Sequence, residues 1–122
     1  MIKDSIVGKK SIAFAKRIAK CYRYLKDKKH ETIMSTQLLR SGTSIGANIR
    51  ESIYAQSRKD FINKLSIALK EAGETDYWLE VICSTEYLTR EEYDSMKTDN
   101  DEIIKLLTSI IKSTKNQEQK NF

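Results

Sequence analysis

The sequence predicts an all-α protein, an antiparallel up-down four-helix bundle in a single domain. Three observations carry that expectation. Four segments place apolar or small residues alternately three and four apart, which is the 3.5-residue repeat of bundle helices. The 122 residues include no proline, so long uninterrupted helices are permitted. Short polar connections separate the segments, and short connections favour neighbours that run in opposite directions.

The spacing predicts a first helix over about 4–28, with the seam Val7, Ser11, Phe14, Ile18, Cys21 and Leu25. Residues 27–30 read as the connection. A second helix is expected over about 31–55, with the seam Met34, Leu38, Ser41, Ile45, Asn48, Ser52 and Ala55. Its spacing is regular but its contents are small or polar. Gln56 and Ser57 form the next connection, with Ser57 as N-cap and Asp60 at the third helical position. The third helix is expected over about 58–87, a length of roughly 45 Å. Its seam is Phe61, Leu65, Ala68, Ala72, Thr75, Leu79 and Ile82. Thr89 and Glu92 make a capping box for a fourth helix over about 90–114, with Tyr93, Met96, Asn100, Ile103, Leu107 and Ile110 inward. Residues 98–101, Thr-Asp-Asn-Asp, are a weak point in it. Residues 115–122 are polar and aperiodic and read as a disordered tail.

Charged residues make up 32% of the chain and the hydrophobic set 39%. With no long apolar run and no leader-like N-terminus, the expectation is a soluble cytoplasmic protein. Cys21 and Cys83 fall at seam positions and read as small, buried, reduced thiols rather than a disulfide or metal site. The net charge of +5 conceals a polarity. Residues 1–30 carry ten Lys and Arg against Asp4 and Asp27, a net +8. Residues 71–102 carry eleven Asp and Glu against Arg90 and Lys97, a net −9. Such segments can neutralise each other, or the basic one can face nucleic acid.

The second helix contains the most unusual stretch, Arg40-Ser41-Gly42-Thr43-Ser44-Ile45-Gly46-Ala47-Asn48-Ile49-Arg50-Glu51. Gly42 and Gly46 each cost a helix interior about 1 kcal/mol relative to alanine. They suit either a tight helix crossing or a surface that a partner backbone or phosphate approaches. Asn48 on the seam is the residue type that fixes register at a cost in stability. Arg40 and Glu51 lie about three turns apart on one face and could join Glu74 or Asp76 in a buried network.

This stretch, together with Gln37-Leu38-Leu39, Arg58-Lys59-Asp60-Phe61, residues 65–72 and Glu74-Thr75-Asp76-Tyr77-Trp78-Leu79-Glu80, resembles the four-helix-bundle proteins of 23S rRNA intervening sequences, the "S23" family. The resemblance spans nearly the whole chain and departs at Gly46, where many members carry proline. It implies an antiparallel bundle that assembles into a homopentameric ring or barrel. It also implies similarity to the accessory protein of diversity-generating retroelements, a basic pentamer that binds nucleic acid and a reverse transcriptase. For most members no biochemical role is assigned.

On the first helix Lys9, Lys16, Lys20 and Arg23 form one row, Lys10 and Arg17 the next, and Lys26 adds to the charge. All avoid the seam. Tyr22 and Tyr24 lie between them and could stack on bases. The bland alternative is a solvated face balanced by the acidic helices. Tyr77 and Trp78 beside the third seam are either peripheral core or an oligomer anchor.

Signals for catalysis are poor. His30 is the single histidine, so a di-iron bundle with two Glu-x-x-His pairs is excluded. No phosphate-binding glycine loop, nucleophile elbow or Cys-x-x-Cys is present. The leading expectation is therefore a non-enzymatic accessory protein that binds RNA or DNA phosphates through the first helix and needs no cofactor. A protein–protein scaffold of charge-paired subunits is the alternative. An enzyme would need a polar pocket built from groups such as Arg40, Asn48, Glu51 and Glu74.

Overall fold

A computed structural model describes residues 5–120, with side chains described through residue 117. Four helices follow one another: α1 (Ile6–Asp27), α2 (Ile33–Ser52), α3 (Arg58–Ser84) and α4 (Arg90–Lys120). No strand occurs among the described residues. Each helix packs against two neighbours in the cyclic order α1, α2, α3, α4, with the sparsest packing between α1 and α4.

Local chemistry sets the ends. The Ser5 hydroxyl accepts from Gly8 N–H at 3.1 Å and starts α1; the expected start at Asp4 lies outside the described residues. His30 adopts a left-handed conformation (φ 56°), which turns the chain toward α2. There the sequence expectation placed the helix start at Glu31. Instead Glu31 stands before the helix as its cap. Its buried carboxylate accepts from the N–H groups of Ile33 at 3.2 Å, Met34 at 3.2 Å and Ser35 at 2.8 Å. Three of the four orphan donors of the first turn are thus satisfied by one side chain. At α3, Ser57 accepts from Asp60 N–H at 3.0 Å, and Asp60 accepts from Gln56 N–H at 3.2 Å. That helix stops at Ser84, three residues before the expected end. Glu86 turns left-handed (φ 71°) and Tyr87 N–H returns to the Ile82 carbonyl at 3.1 Å. Thr89 and Glu92 bond reciprocally at 2.8 and 3.1 Å, as a capping box requires.

The expected weak point in α4 is continuous helix because every member of it has a partner. Thr98 bonds the Asp94 carbonyl, Asp99 pairs with Arg17, Asp101 with Lys97, and the fully buried Asn100 donates to the Ala72 carbonyl at 2.9 Å. The end of α4 also differs from expectation. Ile111, rather than Ile110, is buried, and the helix continues through residues 115–120, which hold neither glycine nor proline to stop it. Residues 121–122 lie outside the described residues.

One hydrophobic core runs the length of the bundle. Val7, Phe14, Ile18 and Leu25 of α1 meet Leu38, Ile45 and Ile49 of α2, Leu65, Ala68, Ala72, Leu79 and Ile82 of α3, and Met96, Ile103 and Leu107 of α4. Cys21 and Cys83 are free, half-buried thiols. The small residues of α2 face α1. A Cβ placed on Gly42 would sit 2.8 Å from Ile18 Cγ1, and one on Gly46 would sit 3.4 Å from Ser11 Oγ. Gly42 therefore lets the two backbones approach over a fully buried, β-branched side chain that has no room to move.

Candidate nucleic-acid interface

Folding splits the basic face of α1 in two. The inner row is tied to α4. Arg17 lies 2.6 Å from Asp99 Oδ2 and also reaches Ser95, its Oγ at 2.9 Å and its carbonyl at 3.3 Å. Lys10 Nζ lies 2.9 Å from Glu102. The outer row, Lys9, Lys16, Lys20 and Arg23, is exposed, as is Lys26, and none of the five has an ion-pair partner among the described residues. The helical repeat explains the division. Residues 9, 16, 20 and 23 fall opposite the buried line Val7, Phe14, Ile18 and Leu25, whereas 10 and 17 fall beside it, next to α4.

The tyrosines take other places. Tyr22 and Tyr24 are half-buried. Tyr24 lines a groove of about 540 Å³ between α1 and the start of α4, with Lys29 Nζ 6.0 Å from its ring centroid. Lys20 of the outer row lines that groove as well, so Tyr24 stands beside one part of the row, whereas Tyr22 does not line it. Cys21 lies in the same groove. Burial, with Glu92 nearby, pushes its thiol up to about 11, against a smaller opposing effect of Arg17. A thiol so raised stays protonated at neutral pH and is a poor nucleophile.

The residues expected to form one buried network separate into three. Arg40 binds Glu71 at 3.1 Å and Glu74 at shorter range, and the Trp78 indole N–H donates to Glu74 at 3.2 Å. The Arg40 bond holds the Glu74 carboxyl below its usual range, and Glu74 in turn raises the guanidinium. Arg40 is 48% exposed, so this cluster lies on the surface. Glu51 pairs instead with Lys64 at 3.7 Å, and Asp76 with Lys97 at 2.9 Å, which raises the Lys97 ammonium. Asn48 is half-buried and donates to the Ser44 carbonyl of its own helix at 2.8 Å. Polar contacts across the seams come from elsewhere: Thr75 to Ser41 at 3.0 Å, and Asn100 to Ala72. The spacing places both Asn100 and Asn48 on a seam, but in α2 the neighbouring Ile49 takes the buried place.

Tyr77 and Trp78 meet edge-to-face with centroids 4.9 Å apart. Trp78 is half-buried beneath the Arg40 cluster and Tyr77 is 54% exposed beside it. No group of three or more His, Cys, Asp or Glu side chains among the described residues is arranged to hold a metal ion. No described helix is long and apolar enough to cross a membrane.

No curated protein matches the chain. A crystal structure of a protein of unknown function from the S23 ribosomal protein family of Bacteroides thetaiotaomicron is 62% identical, covers 90% of this chain and 98% of its own, and superposes with a TM-score of 0.88. The family profile described as 23S rRNA-intervening sequence protein matches residues 3–109. With that match over most of its length, and a solved relative of the same fold at 62% identity, the chain belongs to the 23S rRNA-intervening sequence protein family.

Proposed function

We propose that this protein is a non-catalytic nucleic-acid-binding accessory factor, an antiparallel bundle working as an oligomer, that holds RNA or DNA phosphates on the outer row of α1. One observation supports the reading above the others. Lys9, Lys16, Lys20 and Arg23 stand exposed in line along about 21 Å of helix, and none is neutralised by the acidic helices. A line of cations without base-reading groups gives affinity from counterion release and little sequence preference. Repetition of the row around an oligomer would multiply a weak contact by avidity. The family is named for an intervening sequence of 23S rRNA, so RNA is the first ligand to try.

Four phosphates neutralised per subunit correspond to a slope of log affinity on log salt of about −3 to −4. Lys16→Glu combined with Lys20→Glu reverses two exposed charges that have no internal partner, so the fold is retained. Binding of labelled RNA in low salt is expected to weaken about tenfold or more and the slope to flatten. Undiminished binding by that variant, or none by the native protein, refutes the reading. A second reading, a charge-paired scaffold, is favoured by the Lys10–Glu102 and Arg17–Asp99 pairs, which already neutralise part of α1. Solution mass with and without RNA separates the two, because a scaffold assembles but takes up no RNA.

A further inference from the structure

The groove between α1 and the start of α4, about 540 Å³ in volume, lies beside the outer row of α1. The helical repeat leads from one to the other. Lys16, Lys20 and Tyr24 follow at four-residue steps, so each is the neighbour of the next, with about 5–6 Å between Cβ atoms. Around the helix the repeat runs from Lys20 on the exposed row, through Tyr24 and Arg17, to Cys21 nearest the core line of Ile18 and Leu25. Those four residues all line the groove, so row and groove meet at Lys20. Tyr22 falls on the other flank of the core line and does not line it.

The groove differs from the row in charge. Its cations are Arg17 and Lys20 and its acids Glu91 and Glu92, so its formal charges cancel. Arg17 is held by Asp99 and Ser95, and the Glu92 carboxylate accepts from the Thr89 N–H. The rest of the lining is largely apolar: the Tyr24 ring, the protonated Cys21 thiol, Leu88 and Met96. Leu88 and Met96 are buried and belong to the core, so the floor is continuous with it. A phosphate finds no net positive charge in such a place. A flat, neutral heterocycle finds apolar contact and an aromatic ring, while the phosphate that carries it stays outside on the row.

We infer that this groove receives an unpaired base, with Tyr24 as its stacking platform and Lys20 on the adjoining phosphate. The inference rests on the outer row as a phosphate-binding surface and adds the class of nucleic acid, a single strand or an unpaired loop in preference to a duplex. Bases in a duplex are stacked on one another and cannot bring a face to Tyr24, whereas an unstacked base can. Every base has a π-face, so the preference is for strandedness rather than for sequence.

The test titrates the full chain with a short unstructured RNA and with the duplex of the same sequence, at one low salt concentration. The single strand is expected to bind about tenfold more tightly. Tyr24→Leu keeps an apolar side chain against the core and removes the ring. It should weaken single-strand binding about tenfold, leaving duplex binding and the salt slope as in the native protein. Tyr24→Phe should bind as the native protein does. In the native complex, iodouridine in the strand should cross-link to Tyr24 under ultraviolet light. The cross-link needs no variant and decides the case if Tyr24→Leu loses its helicity. Equal affinity for single strand and duplex overturns the inference and leaves the phosphate row standing. So does native-like binding by Tyr24→Leu, a Tyr24→Phe variant as weak as Tyr24→Leu, or cross-linking only outside the groove. Absence of any RNA binding by the native protein overturns both.

Discussion

At the residue scale the glycines show most clearly that identical residues do different work. Gly42 is where a side chain cannot go, because its Cβ would meet three atoms of Ile18 within 3.0 Å. Gly46 faces Ser11 at ordinary contact distance, and Gly73 faces open solvent. Helix propensity favours alanine over glycine by about 1 kcal/mol at each position. Gly73→Ala should therefore stabilise by about that amount and Gly46→Ala by rather less. Gly42→Ala should destabilise by about 1–3 kcal/mol, since overpacking outweighs propensity. Urea denaturation of the three variants checks the order. An equal effect at all three positions would mean that the α1–α2 crossing is looser than these distances. From sequence Gly42 and Gly46 looked alike, because spacing reports which face a residue occupies and not what stands opposite it.

At the element scale the helices were largely legible and their ends less so. The seams of α1 and α3 bury as their periodicity predicts, apart from the half-buried Cys21 and Phe61. The caps at Ser57 and Thr89 are local chemistry, spelled out within four residues, and they stand where expected. The start of α2 was not legible. Thr32 occupies the cap position without a side-chain cap bond, and the work falls to Glu31, a residue type read as helix interior. Only the left-handed turn at His30 aims that carboxylate at three N–H groups, and such a turn at a non-glycine residue leaves little trace in sequence. Glu31→Ala should cost about 1–2 kcal/mol and fray the first turn of α2. Thermal unfolding monitored by helicity reads the first effect, and proteolysis between α1 and α2 reads the second. A variant as stable as the native protein would assign the capping to solvent.

At the scale of the whole molecule, charge that looks segmental in sequence is redistributed by folding. The +8 of residues 1–30 does not survive as one surface, because Lys10 and Arg17 are taken by α4 while Lys9, Lys16, Lys20 and Arg23 stay free. Which of two adjacent rows would be neutralised depended on which helix became the neighbour of α1, a fact of topology that no local pattern contains. The α1–α4 seam has a consequence for motion. It is the most sparsely packed of the four, and ion pairs that bridge it are half-exposed and open to screening. α1 and α4 are then the neighbours that part most readily, and salt that would weaken any phosphate contact on the outer row of α1 also slackens the clasp on its inner row. Amide hydrogen exchange in α1 and the facing part of α4 should quicken with ionic strength while α2 and the middle of α3 hold steady. A ligand held on the outer row of α1 would lie along one side of the seam that opens first, so its grip would be tied to that opening.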